Sequence, residues 1–213
     1  VLYGDGAIGG AINFITDSSA KKQKESILFK TGSFNSNEFI FNQNKKINNY
    51  ELEILLNSKK TDGYRDENEQ MQNNVSFSLS NDLNKSNQFL TFSFSEQIMS
   101  TPGDRDQDQL YNDRRGSDTP DDFINSIGSS ITFGLNNQIK NDLKFIIDSS
   151  IRLKNSYSDL QSTSYPSYND TALYNFQISP RLLSNSKLLN KRNESITGLD
   201  FQYSIYKSYR KKN

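Results

Sequence analysis

Short runs of alternating apolar and polar residues recur along most of this 213-residue chain. In the clearest run, residues 143–154, Phe145, Ile147 and Ile151 share one face of a strand, whereas Arg152 lies on the other. Such alternation is typical of a β-strand whose two faces meet different surroundings. About nine of these runs follow one another from residue 26 onward, and no stretch has a convincing helical period. The chain is therefore predicted to be all-β.

The connections between the predicted strands alternate in length. Those near 61–70, 97–124 and 155–170 are long, whereas those near 45–49 and 138–142 are short. Long loops at one end and short turns at the other are typical of outer-membrane barrels, whose strands need ~9–11 residues to cross the bilayer. We therefore expect an antiparallel transmembrane β-barrel, of which the chain supplies a part.

The composition excludes several classes of function. Cys and His are absent, which removes disulfide scaffolds, thiol catalysis, Ser-His-Asp triads and His-based acid–base chemistry. The 25 Lys and Arg residues balance 25 Asp and Glu residues, so no basic surface indicates a nucleic-acid partner. No apolar stretch reaches the ~20 residues of a transmembrane helix, although transmembrane β-strands need none. We expect a protein that is not an enzyme and that needs no cofactor.

Residues 1–16 are Gly-rich and nearly uncharged, unlike the remainder of the chain. Residues 4–9 match the G-x-G-x-x-G nucleotide fingerprint in form, but that fingerprint must open a helix. Residues 10–16 are instead β-branched and strand-like, without a helix N-cap. The glycines are better explained by a tight turn between short strands.

The segment LYGDGAIGGAINFIT, at residues 2–16, resembles the end of the plug domain of TonB-dependent outer-membrane transporters. In that family a similar segment leads into the first barrel strand. Residues 32–36 and 62–66, and the loop that begins at Pro102, resemble outer segments of the same barrels. The resemblance assigns to the plug–barrel junction Tyr3, Gly4, Gly6, Gly9, Gly10 and Asn13.

The family resemblance implies a domain organisation and a function. It divides the chain into the end of a plug (1–16), a linker (17–25) and about nine strands of a 22-stranded barrel (26–213). It implies active import of a scarce chelate, an iron–siderophore complex or cobalamin, across the outer membrane of a Gram-negative bacterium. The expected partners are outer-membrane lipid, the small chelate, and the inner-membrane TonB energy complex. That complex would act through an N-terminal part absent from this sequence, because we expect the chain to be a fragment.

The long predicted loops supply the candidate ligand contacts. These are Arg105, Tyr111, Arg114, Arg115, Tyr165 and Tyr168. Tyrosines near strand ends also suit an aromatic girdle at the headgroup level, the role expected for Tyr206 and Tyr209.

One acidic run in the predicted loop 97–124 bears on metal binding. Asp104, Asp106 and Asp108 begin like an EF-hand, but Gln109 stands where the EF-hand needs Gly and Arg115 where it needs Glu. An EF-hand is excluded, while a looser calcium site and solvated loop charge both remain open.

Two other classes of protein share parts of this pattern. A passive porin or structural barrel has the same strands but does not explain the Gly-rich residues 1–16. A soluble secreted β-domain, such as an adhesin or a carbohydrate-binding module, would bury its apolar face between two sheets.

Overall fold

The computed structural model describes residues 24–83, 85–161, 166–188 and 191–212, and the following statements concern these residues. The predicted plug end and junction lie outside them. The described part holds one short helix, α1 (Gln107–Asn112), and no helix in it is long and apolar enough to span a membrane. All other elements are strands of one antiparallel sheet: β1 Lys24–Gly32, β2 Ser36–Ile47, β3 Tyr50–Thr61, β4 Gln70–Leu83, β5 Ser86–Ser100, β6 Phe123–Lys140, β7 Leu143–Leu160, β8 Ser167–Leu188, β9 Lys191–Gly198 and β10 Phe201–Lys212.

The sheet is a meander with nine strand positions, as the alternation predicts. From β1 to β8 each strand pairs with the next one along the chain. Both β9 and β10 pair with the same edge of β8, and the register of one continues that of the other. The break between them falls opposite Pro180, which has no N–H to donate and accepts from the Leu199 N–H at 3.1 Å. Together β9 and β10 therefore form one returning strand.

The two ends of the sheet differ in their connections. At one end, the β2–β3 and β6–β7 turns consist only of residues 48–49 and 141–142. At the other end, the β3–β4 loop covers 62–69 and the β5–β6 loop covers 101–122. This asymmetry confirms the predicted one.

The predicted long connection at 155–170 is shorter in the structure. β7 continues to Leu160 and β8 begins at Ser167, in paired register. The alternation pattern does not predict these strand ends, because both of their faces carry polar residues.

Directly opposite residues of neighbouring strands share a face of the sheet, so each row of pairs reveals what that face carries. One row across seven strands is apolar throughout: Ile54, Phe77, Phe92, Ile131, Ile151, Phe176 and Tyr203. The adjacent row on the other face is mostly polar: Leu55, Ser76, Ser93, Ser130, Arg152, Asn175 and Ser204. The predicted division into an apolar and a polar face is thus confirmed.

The apolar residues form a band that crosses the sheet obliquely. Phe39 of β2 and Asn155 of β7 occupy one row, so this row is apolar at β2 and polar at β7. Lys45 of β2 and Phe133 of β6 occupy a row nearer the turns. This row is polar at β2 and apolar at β6. Strands that tilt by about 35–45° to a membrane produce this obliquity, because the band follows the membrane and not the hydrogen-bond rows.

The apolar face has no second layer against it in the described part of the chain. None of the apolar residues there is buried, and Ile131 and Ile151 are 46% and 47% exposed in the middle of the sheet. The soluble β-sandwich alternative requires a buried apolar face, and the described residues do not form one.

A glycine–aromatic pair stabilises the polar face near the turn end. The ring of Phe89 covers Gly134, which lies directly opposite in the register, and a Cβ on Gly134 would lie 2.1 Å from ring atom Cε1. We expect Gly134→Ala to destabilise the complete barrel by about 1–2 kcal/mol, because the ring must move away. Urea unfolding in detergent micelles measures this cost. In a Phe89→Ala background the same substitution should cost almost nothing, and an unchanged cost would contradict the contact.

Candidate functional site

Arg65 joins the β3–β4 loop to the β5–β6 loop. Its guanidinium donates to the carbonyl oxygens of Pro102 at 2.9 Å and Gly103 at 2.6 Å. It also donates to the Gly116 carbonyl through two nitrogens, at 3.2 and 3.0 Å. One side chain thus joins the start of the longer loop to a residue in its second half. In the sequence, Arg65 belongs to residues 62–66, which resemble an outer segment of the family's barrels. That resemblance does not predict the bonds to the second loop.

Arg105, a predicted ligand contact, is bound within its own loop. Its side chain is 9% exposed and forms ion pairs with Asp113 and Asp118, both at 3.1 Å. It also donates to the Gly116 carbonyl at 3.1 Å, so this oxygen accepts from two arginines. The structure places the Arg105 guanidinium where it holds the loop together.

The helix α1 begins with a capping box. The Asp106 carboxylate accepts from the Gln109 N–H at 2.8 Å, and the Gln109 side chain accepts from the Asp106 N–H at 2.9 Å. Of the three predicted calcium ligands, Asp106 is therefore engaged at the helix N-terminus, whereas Asp104 and Asp108 are exposed. The described residues contain no group of three or more acidic side chains that could hold a metal ion. The calcium site stays a prediction.

Three predicted ligand residues project from the β5–β6 loop. Tyr111 is 91% exposed at the end of α1, and Arg114 and Arg115 are exposed just after it. The Arg115 guanidinium lies 5.8 Å from the ring centroid of Tyr64, close enough for a cation–π contact. These groups are available to a ligand in a way that Arg105 is not.

The β1–β2 hairpin turn (33–35) is attached to the same loops. Phe34 and Asn35 have φ values of 59° and 52°, which is unusual for a phenylalanine. The Phe34 ring packs edge-on against Tyr64 at 5.6 Å, and its carbonyl accepts from the Asp62 N–H at 2.9 Å. Residues 33–35, 62–69 and 101–122 therefore form one connected surface, which we call the loop platform.

Tyr168, another predicted ligand residue, belongs to a row of aromatic side chains. Phe123, Tyr157, Tyr168 and Tyr209 follow one another with ring centroids 5.3, 5.0 and 6.0 Å apart. By register this row lies on the apolar face, between the band and the loop end, where a girdle is expected. Tyr206 does not join Tyr209 there, because it shares a row with polar-face Lys154. The girdle prediction for Tyr206 is therefore wrong. Tyr165 lies outside the described residues.

The polar face carries a hollow of about 460 Å³ between β3 and β7. Its lining includes hydroxyl groups of β4, β5 and β6, the apolar residues Leu55, Val75, Phe94 and Leu153, and Arg152 and Lys154 of β7. A second hollow of about 350 Å³ lies beside it toward β10 and also includes Arg152. In the described part of the chain, neither Arg152 nor Lys154 has a hydrogen-bond or ion-pair partner. Both residues are simply polar-face positions in the sequence.

Solved structures with the same fold are receptors of the outer membrane. The unliganded ferric citrate transporter FecA matches with a TM-score of 0.73 at 14% identity, over 89% of this chain and 29% of that one. FpvA of P. aeruginosa, in complex with an iron-loaded pyoverdine, matches with a TM-score of 0.73 at 10% identity, over 88% of this chain and 28% of that one. The ferric-catecholate import receptor Fiu of E. coli K12 matches with a TM-score of 0.70 at 13% identity, over 87% and 35%. No family model and no curated protein matches the sequence.

The comparison establishes the fold of the described residues. They form an open antiparallel sheet, with β1 and β10 at its edges, that matches part of the β-barrel of these solved structures. The matched structures are TonB-dependent receptors, so the fold implied by the sequence resemblance is confirmed. The chain spans about a third of the length of these solved receptors.

Proposed function

We propose that this chain is part of a TonB-dependent outer-membrane receptor that imports a small iron chelate. The observation that carries the proposal is a single-layer sheet with one apolar face, one polar face and a loop platform at one end only. The similar solved structures are a ferric citrate transporter, a pyoverdine–iron complex of FpvA and a ferric-catecholate import receptor, which favours an iron chelate over cobalamin.

Each surface of the sheet has a place in this proposal. The apolar face contacts outer-membrane lipid, because its exposed side chains are stable only in hydrocarbon. The polar face lines the lumen, and the loop platform faces outside the cell, where it meets the chelate. Residues 1–16 retain their proposed place at the plug–barrel junction, and the energy complex acts on the plug. No step of this import is covalent chemistry.

Within the loop platform the predicted ligand residues differ in their contacts and so in their proposed roles. Tyr111, Arg114 and Arg115 contact the chelate because they are exposed, and Tyr165 remains a proposed contact. Arg105 positions the loop, because each of its three guanidinium nitrogens donates to a group of that loop.

Energy dependence distinguishes this receptor from a passive porin. Cells that carry the complete gene should accumulate ⁵⁵Fe from a ferric chelate, and a protonophore should stop the accumulation. Gene deletion should give the same loss as the protonophore. Accumulation that persists with the protonophore would indicate a passive barrel. Equal accumulation with and without the gene, for ferric citrate, a catecholate and a hydroxamate alike, would contradict import of iron chelates.

A further inference from the structure

We propose that Asp122 is a positioning residue, which attaches the β7–β8 connection to the loop platform and so makes this connection part of the surface that binds the chelate. The inference rests on the proposed function and extends the proposed binding surface from three outer connections to four. The contact that carries it joins two residues 39 positions apart in the chain. The β5–β6 and β7–β8 connections join strands that are paired on each side, so the contact lies away from the edges of the open sheet.

The backbone of Asp122 is fixed at the neck of the β5–β6 loop, where the two ends of this loop meet. Its N–H donates to the Thr119 carbonyl at 3.2 Å, and its carbonyl accepts from the Thr101 N–H at 2.9 Å. The Thr119 hydroxyl donates to the Thr101 carbonyl at 2.6 Å, and the Asp118 N–H donates to the Pro102 carbonyl at 3.0 Å. These hydrogen bonds close the neck, so the β5–β6 loop determines where the Asp122 side chain begins.

The carboxylate of Asp122 binds outside its own loop. Its Oδ1 atom accepts a hydrogen bond from the N–H of Gln161, the first residue after β7. Asp122 is 5% exposed, and among the described side chains it is the only ionisable one that is buried. A buried carboxylate is costly unless it is hydrogen-bonded, so this bond stabilises the contact between the two connections. The Gln161 side chain also donates to Asp159 at 2.5 Å, so both its backbone and its side chain are held.

The contact of Asp122 completes a series of links between neighbouring outer connections. The β1–β2 turn is linked to the β3–β4 loop through Phe34 and Asp62, and the β3–β4 loop is linked to the β5–β6 loop through Arg65. Asp122 links the β5–β6 loop to the β7–β8 connection in the same way. Groups that are held in place before a ligand arrives lose little conformational entropy on binding, which raises the affinity. A tethered β7–β8 connection therefore contributes more to the affinity than a released one.

Amide hydrogen exchange and chelate binding, both measured on the complete receptor in detergent micelles, test this role. Asp122→Ala removes the acceptor of the Gln161 N–H. We expect this amide to exchange about 10-fold faster, because a hydrogen bond to a charged group is lost. The binding probes are ⁵⁵Fe-labelled ferric citrate, a ferric tris-catecholate and a ferric tris-hydroxamate. For the probe that the wild type binds, we expect Asp122→Ala to weaken the affinity by about 10-fold, because the released connection must be ordered on binding.

Two matched variants separate the tether from the negative charge. Asp122→Asn keeps an acceptor oxygen, so its affinity should stay within about threefold of the wild type. It should also speed the exchange of Gln161, but less than Asp122→Ala does, because a neutral acceptor forms the weaker bond. Asp121→Ala removes the same charge one residue earlier, from an exposed side chain. This variant should change the exchange of Gln161 and the affinity by less than about twofold.

Three results would overturn the inference. An unchanged exchange rate of Gln161 in either Asp122 variant would show that the carboxylate does not tether the connection. Faster exchange with unchanged affinity in Asp122→Ala would show that the β7–β8 connection is not part of the binding surface. An equal loss of affinity in Asp121→Ala would show that the charge of the loop, and not the tether, affects binding. If the wild type binds none of the three probes, the proposed function fails, whereas the exchange of Gln161 still decides whether Asp122 holds the connection.

Discussion

Replacing Ile131 by Arg is expected to destabilise the complete barrel by about 2–4 kcal/mol, the cost of a cation at the lipid face near the bilayer midplane. Ile131 lies between Phe92 and Ile151 in the apolar row and is 46% exposed, and none of the described residues forms a layer above it. On β6 the apolar residues of this face run from Ile127 to Leu135, so Ile131 is at their centre. The arginine can reach water only by distorting the bilayer, since about 15 Å of hydrocarbon separates the midplane from either surface.

The matched control is Thr132→Arg, one residue further along the same strand. Thr132 lies between Thr91 and Ser150 on the polar face, where a wet lumen hydrates the guanidinium. We expect this variant to cost less than about 1 kcal/mol. Equilibrium urea unfolding in lipid vesicles gives both values. Equal costs for the two variants would show that the apolar face does not contact lipid.

The two faces could be predicted because alternation survives in the register. Residues that alternate along each strand lie on the same face in every paired strand, so they form rows across the sheet. A one-residue slip in the pairing of a strand would move all its side chains to the other face. Ile151 and Arg152 are separated in this way, and their partners Ile131 and Ser130 follow the same division. The nine strand positions follow from the same signal, although Pro180 interrupts pairing at the ninth.

The sequence does not predict strand ends where the alternation stops, and it does not predict contacts between residues that are far apart in the chain. Near Tyr157 and Tyr168 polar residues occupy both faces, so strand and loop look alike in the sequence. The loop platform depends on the bonds from Arg65 to Gly103 and Gly116, 38 and 51 positions further along the chain. No local pattern specifies such partners, so the sequence gives no sign that Arg65 donates to the second loop or that Arg105 forms ion pairs within its own loop.

Arg65→Lys is expected to release the β5–β6 loop from the platform while the strands stay paired. The planar guanidinium of arginine presents several N–H groups in a fixed fork, which lets Arg65 donate to three carbonyls. A lysine ammonium is a compact group on a flexible stem and cannot reach all three. The carbonyls of Pro102, Gly103 and Gly116 would lose the hydrogen bonds that Arg65 donates. Hydrogen bonds to a charged donor contribute ~1.5–3 kcal/mol each. Lowering the free energy of loop opening by about 3 kcal/mol would raise the open population of the loop more than 100-fold.

Trypsin reports this opening, because Arg114 and Arg115 are exposed but the Arg115 carbonyl is held by the Asp66 N–H at 2.7 Å. When loop opening is fast relative to cleavage, the cleavage rate follows the open population. The complete receptor in detergent should therefore be cut after Arg114 or Arg115 at least 10-fold faster in Arg65→Lys, with unchanged urea unfolding of the barrel. Arg152→Lys is the control, since Arg152 makes no contact with the loop, and it should leave the cleavage rate unchanged. If Arg65→Lys is cut no faster than the wild type, the loop is held by Arg105 and its aspartates, and Arg65 does not anchor it.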